Sequence, residues 1–255
     1  MSAAVAVTRQ GPSLWATLDR PQALNAITPD TVRGLHAALD AAEGDDGIRV
    51  LVIAASGTAF CAGADLTQVG NGGLSSFLAD VGALLTRIEA SPVPVIAAVH
   101  GLAIAGGLEI ALACDFVIAA RSAAFGDGHA NYGLLPGGGG SVRLPLRVGP
   151  GTARRMMYTA AVIPAAELAH TDLVSELVDD EDLDSRVHAL VAEIAAKSPL
   201  GIARMKRLVA DGLRLPAAEA LNAELAAVAE HATSADFAEG LAAFGAKRVP
   251  QFTGR

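Results

Sequence analysis

Three uncharged apolar runs, at residues 50–54, 93–99 and 116–119, set the frame for this chain. A strand that is apolar without alternation is buried on both faces, as in a sheet with helices packed on either side. Segments with helical periodicity precede and separate these runs. Thr28-Pro29-Asp30 starts the first of them: Thr28 can cap, Pro29 suits the first helical position, and Asp30 favours the positive helix end. Val32, Leu35 and Leu39 then line one face. Residues 78–89 read as a second helix and 106–113 as a third, buried one. Short strands at 5–7 and 14–18 flank the turn at Gln10-Gly11-Pro12, and glycine-rich 69–76 reads as a mobile loop. Strands alternating with helices through the first two thirds imply stacked β/α layers.

From about residue 165 the pattern changes. Helices are expected at 183–196, 200–210, 216–230 and 235–247, with a soft boundary at Lys197-Ser198-Pro199. The chain therefore divides into a core, residues 1–197, and a C-terminal helical region, 198–255. No polar linker separates them, so the tail should pack on the core or on a neighbouring subunit.

Composition excludes several classes of function. The 255 residues are 52% hydrophobic, which is incompatible with a disordered chain. A net charge of −8 and few aromatic residues argue against nucleic-acid binding. Cys61 and Cys114 make no disulfide framework and have no metal-ligand spacing with the histidines, so no metal is expected. The first residues lack the basic start and unbroken apolar core of a signal peptide, and no window suits a membrane span. A cytoplasmic protein is the simplest expectation.

The chemistry-bearing residues lie in two small-residue bends and in the segments C-terminal to them. Phe60-Cys61-Ala62-Gly63-Ala64-Asp65-Leu66 would let a ligand approach the backbone closely. Ala105-Gly106-Gly107 falls where a helix starts, so its first N–H groups lack internal partners. Together the bends could form an oxyanion hole, although small residues also serve close packing. Glu109 sits inside the apolar stretch Leu108 to Leu112, where a carboxylate is costly unless paired or used. It is either a catalytic group or a carboxylate satisfied by backbone donors or an arginine. His129 lies in a glycine-rich loop and can act as acid or base near neutral pH; His100 reads as a strand-end residue. The glycines at 137–140 lack the Lys-Ser/Thr pair of a phosphate loop and read as a tight helix start. No Gly-x-Ser-x-Gly elbow occurs.

As a set, these segments resemble the crotonase superfamily, the enoyl-CoA hydratase/isomerase family. The matching stretches are residues 18–26, 59–66, 94–115 and 125–143, with 236–244 and 247–252 in the tail. The resemblance covers nearly the whole chain in order. It implies an α/β fold, a spiral of repeated ββα units with a C-terminal helical region that makes trimers, often paired into hexamers. It implies that the backbone N–H groups of Ala64 and Gly106 hold the oxygen of an acyl-CoA thioester, stabilising an enolate. Coenzyme A would enter as part of the substrate, with no resident cofactor. Gln22, Ala23 and the backbone of Ala62, Asp65 and Leu66 would contact the CoA moiety, with Gly128 and Gly137 also in the substrate site and the Gly137 backbone near the catalytic water. Many relatives carry lysine where Gln22 stands. Phe244 and Lys247 would complete the pocket of a neighbouring subunit. Candidates for the CoA 3′-phosphate are Arg154, Arg204, Lys206 and Lys247.

One departure matters. Family hydratases flank the added water with two glutamates. Glu109 matches the first, and His129 stands where the second is expected. Loss of that acid argues against a standard isomerase, and glycine at 137 argues against a dienoyl-CoA isomerase. The leading expectation is an enoyl-CoA hydratase. The alternatives are a relative using His129 for thioester hydrolysis, C–C cleavage or decarboxylation, and a weakly catalytic CoA-thioester-binding protein. A Clp-type protease lacks a recognisable nucleophile.

Overall fold

The computed structural model describes residues 4–67 and 73–255. Strand β1 (Val5–Gln10) pairs antiparallel with β2 (Ser13–Leu18), and helix α1 (Pro29–Glu43) follows. Thr28 caps α1 as expected, its hydroxyl accepting the Thr31 N–H at 3.2 Å. Next come β3 (Val50–Ala55), α2 (Leu74–Ala90), β4 (Val95–Val99), β5 (Leu102–Ile104) and α3 (Gly106–Ala113). β6 (Phe116–Ala120), β7 (Ala124–Gly126), α4 (Gly140–Thr159), β8 (Val162–Pro164), α5 (Ala165–Leu168) and β9 (Glu176–Val178) complete the core. The helices α6 (Leu183–Ala195), α7 (Pro199–Gly212), α8 (Ala217–His231) and α9 (Ala235–Ala246) end the chain.

The larger sheet has six strands in the order β1-β2-β3-β4-β6-β9, parallel from β2 onward. A smaller sheet joins β5, β7 and β8. Each turn of chain visits the large sheet, then the small one, then a helix: β4–β5–α3 and β6–β7–α4. Isolated bridges continue the pattern, Cys61 lying beside Ala103 and Ile27 beside Ala64. This is the expected spiral of ββα turns.

Alternate residues of the large sheet enter two cores. Leu51, Ile53, Ala97, Val99 and Val117 pack with Leu35, Leu39, Leu85 and Leu108 of the first three helices. Val50, Val52, Ile96 and Ile118 pack on the other side with Trp15 and with Val187 and Val191 of α6. Both faces are covered, so the runs are apolar throughout. The second helix starts at Leu74, earlier than its sequence pattern suggests. Of the expected loop at 69–76, residues 69–72 lie outside the described residues and 74–76 are helical. β9 forms an edge of the large sheet beyond the point where strand signals stop.

The last three helices bury little: α7 has no fully buried residue and α8 only Ala227. Lys206 ties α7 to the core through Asp115 at 2.7 Å and the Ile88 carbonyl at 3.2 Å. Among the described residues, no helix is long and apolar enough to cross a membrane.

Candidate active site

The spiral brings the two small-residue bends side by side. A Cβ built on Gly106 would stand 3.7 Å from the Ala64 nitrogen. Gly106 opens α3, so its N–H has no intrahelical partner. Neither this N–H nor that of Ala64 meets an acceptor among the described residues. The geometry is held under strain: Ala105, just before Gly106, has φ 50° and ψ −114°, a region side chains other than glycine rarely enter. Its own N–H donates to the Gly126 carbonyl at 3.0 Å, which anchors the bend to β7. Gly107 must be glycine, because a Cβ there would lie 2.2 Å from the Cys61 carbonyl oxygen. Close seating of α3 on the Cys61 segment is what juxtaposes the two bends.

Glu109 follows on the first turn of α3 and is 4% exposed. Its Oε1 accepts the N–H groups of Gly138 and Gly140, each at 2.9 Å. Those amides belong to the start of α4, whose positive end faces the carboxylate. The glycine run is therefore a carboxylate cradle as well as a helix start: a Cβ on Gly138 would come within 2.6 Å of Oε2. Oε2 itself has no donor among the described residues. Burial pushes the Glu109 carboxyl above its ordinary range, opposed by the Gly140 N–H, the His129 charge and the Gly138 N–H.

His129 opens a short 3-10 turn, His129–Tyr132, that packs against α4. Its Nδ1 stands 3.1 Å from Oδ2 of Asp127, which is 2% exposed. The approach is skewed from hydrogen-bond alignment, so the contact is a close electrostatic one that becomes an ion pair when His129 is protonated. Asp127 raises the His129 pKa; burial opposes this, and Glu109 adds a smaller upward push. Each of Glu109 and His129 thus feels the other's charge.

Sequence reasoning missed Asp127. An aspartate between two glycines reads as a turn residue, and its one distinguishing signal is the Asp-x-His spacing. The two particular amides on Glu109 were equally hidden, although backbone donors are among the partners expected for a buried carboxylate.

The remaining expected residues are spread more widely. Gly128 and Gly137 sit on the loops that carry His129 and the Glu109 cradle. Gln22 is exposed and Ala23 partly so, on the 3-10 turn Pro21–Ala23. The N–H groups of Ala62, Asp65 and Leu66 are already bonded, to the carbonyls of Leu24, Ile27 and Ala64, which leaves their own carbonyls to meet a ligand. The Asp65 carboxylate braces this loop through Arg20 at 3.1 Å. Phe244 is 84% exposed on α9, and Lys247 caps that helix. α9 is held to α7 by the Ser198–Asp236 hydrogen bond. Arg204 and Lys206 are committed to Glu230 and Asp115. A separate cleft of about 810 Å³, lined by Cys114, Arg147, Lys206 and Leu213, lies between the core and α7.

Comparison with known proteins gives a consistent picture. The sequence profile of the family described as enoyl-CoA hydratase/isomerase matches residues 13–255. The chain is 38% identical to a crotonyl-CoA hydratase of Syntrophomonas wolfei over 241 residues, 92% of each chain. It is 41% identical to a probable enoyl-CoA hydratase of Rhodobacter capsulatus over 244 residues, 94% of this chain and 93% of the other. The crystal structure of an enoyl-CoA hydratase from Bacillus anthracis superposes with a TM-score of 0.94 at 30% identity, covering 99% of this chain and all of that one.

Proposed function

This chain belongs to the enoyl-CoA hydratase/isomerase family, and from that premise we propose that it adds water across the double bond of trans-2-enoyl-CoA thioesters. One observation carries the reading: two adjacent amides, Ala64 and Gly106, that meet no acceptor among the described residues, with a buried carboxylate one helical turn beyond them on α3. The amides would hold the thioester oxygen as it gains charge. Ionised Glu109, through Oε2, takes a proton from water as the water oxygen bonds to the β-carbon. The π electrons move onto the thioester as an enolate. Protonated His129 then delivers a proton to the α-carbon, and transfer of the proton from Glu109 to His129 through solvent resets the site.

The CoA moiety is assigned to Gln22, Ala23 and the carbonyls of Ala62, Asp65 and Leu66. No resident cofactor is required. Phe244 and Lys247 would act in a neighbouring subunit of a homotrimer or a hexamer of paired trimers. Exposed Val209, Leu213, Leu221, Leu225 and Val228 on α7, α8 and the turn between them support that assembly. Two buried free thiols suit a reducing compartment such as the cytoplasm, and fatty-acid metabolism is the natural setting.

The test is hydration of crotonyl-CoA and longer enoyl-CoA esters, followed by loss of the conjugated thioester absorbance. Wild type should turn over and Glu109→Gln should be nearly inactive. Equal rates would remove Glu109 from the chemistry.

A further inference from the structure

We propose that Asp127 is a positioning residue that holds His129 as a protonated acid in the site that contains Glu109. The chemical consequence rests on the hydration reading; the assignment of Asp127 rests on geometry. Gly128 separates the two residues with φ +71°, a left-handed turn that lets neighbours two apart in sequence touch. Asp127 grips His129 twice: Oδ2 stands 3.1 Å from Nδ1, and Oδ1 accepts the His129 backbone N–H at 3.4 Å. The carboxylate is buried, and no Lys or Arg among the described residues lies within ion-pair distance of it. A buried carboxylate needs a counter-charge, and here the imidazolium supplies it.

Engagement of Nδ1 by Asp127 leaves Nε2 as the nitrogen that can serve the substrate. The other charges facing this turn reinforce the arrangement. Glu109 faces it from α3 and favours the imidazolium. Arg143 of α4 is committed to Glu89 at 2.7 Å and to the Gly138 carbonyl, so it does not compete for Asp127. An ordinary two-carboxylate site must keep one group protonated and the other not. This site reaches the same division with groups of different type, a carboxylate base and an imidazolium acid.

The test is an NMR pH titration of the histidine rings in substrate-free protein, with His129 assigned from a His129→Gln spectrum. In wild type, His129 should titrate above the ordinary histidine value of about 6.5. In Asp127→Asn its midpoint should move to lower pH. The alkaline limb of kcat/KM for crotonyl-CoA should move down with it, and KM near pH 6 should change little. A wild-type midpoint at or below the ordinary value overturns the proposal even if the variant does not fold. So does a midpoint unchanged by Asp127→Asn. A shifted midpoint in a protein that hydrates no enoyl-CoA would sustain the role of Asp127 and instead defeat the hydratase reading.

Discussion

Glu109 is a buried acid whose surroundings pull both ways. Burial favours its neutral form, and two amides at a helix start favour the charged one. Because the net shift is upward, the folded protein binds this proton more tightly than the unfolded chain. That contribution favours folding below the ordinary carboxylate range and is lost as pH rises through the folded value. Glu109→Gln keeps an oxygen for both amides and removes the titration. The variant should therefore gain stability relative to wild type as pH rises above the ordinary carboxylate range, read by denaturant unfolding. A relative loss with that rise would contradict the burial argument. Its kcat/KM should fall by about 10²–10⁴-fold. The acid limb of the wild-type rate profile should lie above the ordinary carboxylate range and the alkaline limb above the ordinary histidine value, because hydration needs Glu109 ionised and His129 protonated. Asp127 also changes the expected outcome of restoring a glutamate. His129→Glu alone would set a second carboxylate against a buried one, so Asp127→Asn/His129→Glu should hydrate crotonyl-CoA faster than His129→Glu. Glu109 was legible in the sequence because a charge interrupts an apolar helix. Asp127 was not, because its burial is created by residues distant in the chain.

At the scale of elements, the contact between α3 and the Cys61 segment aligns the two bends. Gly107→Ala would drive a Cβ to 2.2 Å from the Cys61 carbonyl oxygen. The overpacking should cost about 1–3 kcal/mol of stability, seen as a lower thermal midpoint, and activity should fall with it as Gly106 moves off Ala64. An alanine tolerated without loss on either count would show that α3 is not seated as described. The buried strands β3, β4 and β6 were legible because both their faces are apolar. The small sheet was not: β5, β7 and β8 are three residues each, too short to show a period. The long α4 was hidden by Pro145, Pro150 and the break at Gly149, where φ is 77°. Gly149, with ψ 155°, divides this stretch into two helical segments, so propensity is obeyed at Pro150, and Leu144, Val148 and Met156 pack into the core on either side of the break.

For the whole molecule, the asymmetry of burial is informative. The core covers both faces of its main sheet, whereas α7 and α8 leave Leu221 at 61% and Leu225 at 68% exposure. Exposed apolar side chains of this kind are what the proposed assembly would cover. Sedimentation velocity should give a trimer or a multiple of it, and a monomer at micromolar concentration would contradict the assembly. The helical content of this region was readable from spacing. That much of its apolar surface stays exposed within one chain was not, because amphipathic periodicity does not say what covers the apolar side. The active-site account depends on the Ala64 and Gly106 amides acting as one acceptor-binding pair, and a crystal structure with a bound acyl-CoA tests that most directly. The thioester oxygen should lie about 2.7–3.2 Å from both nitrogens, with Glu109 Oε2 facing the β-carbon. An oxygen bound by neither amide, or a thioester seated elsewhere on the chain, would contradict it.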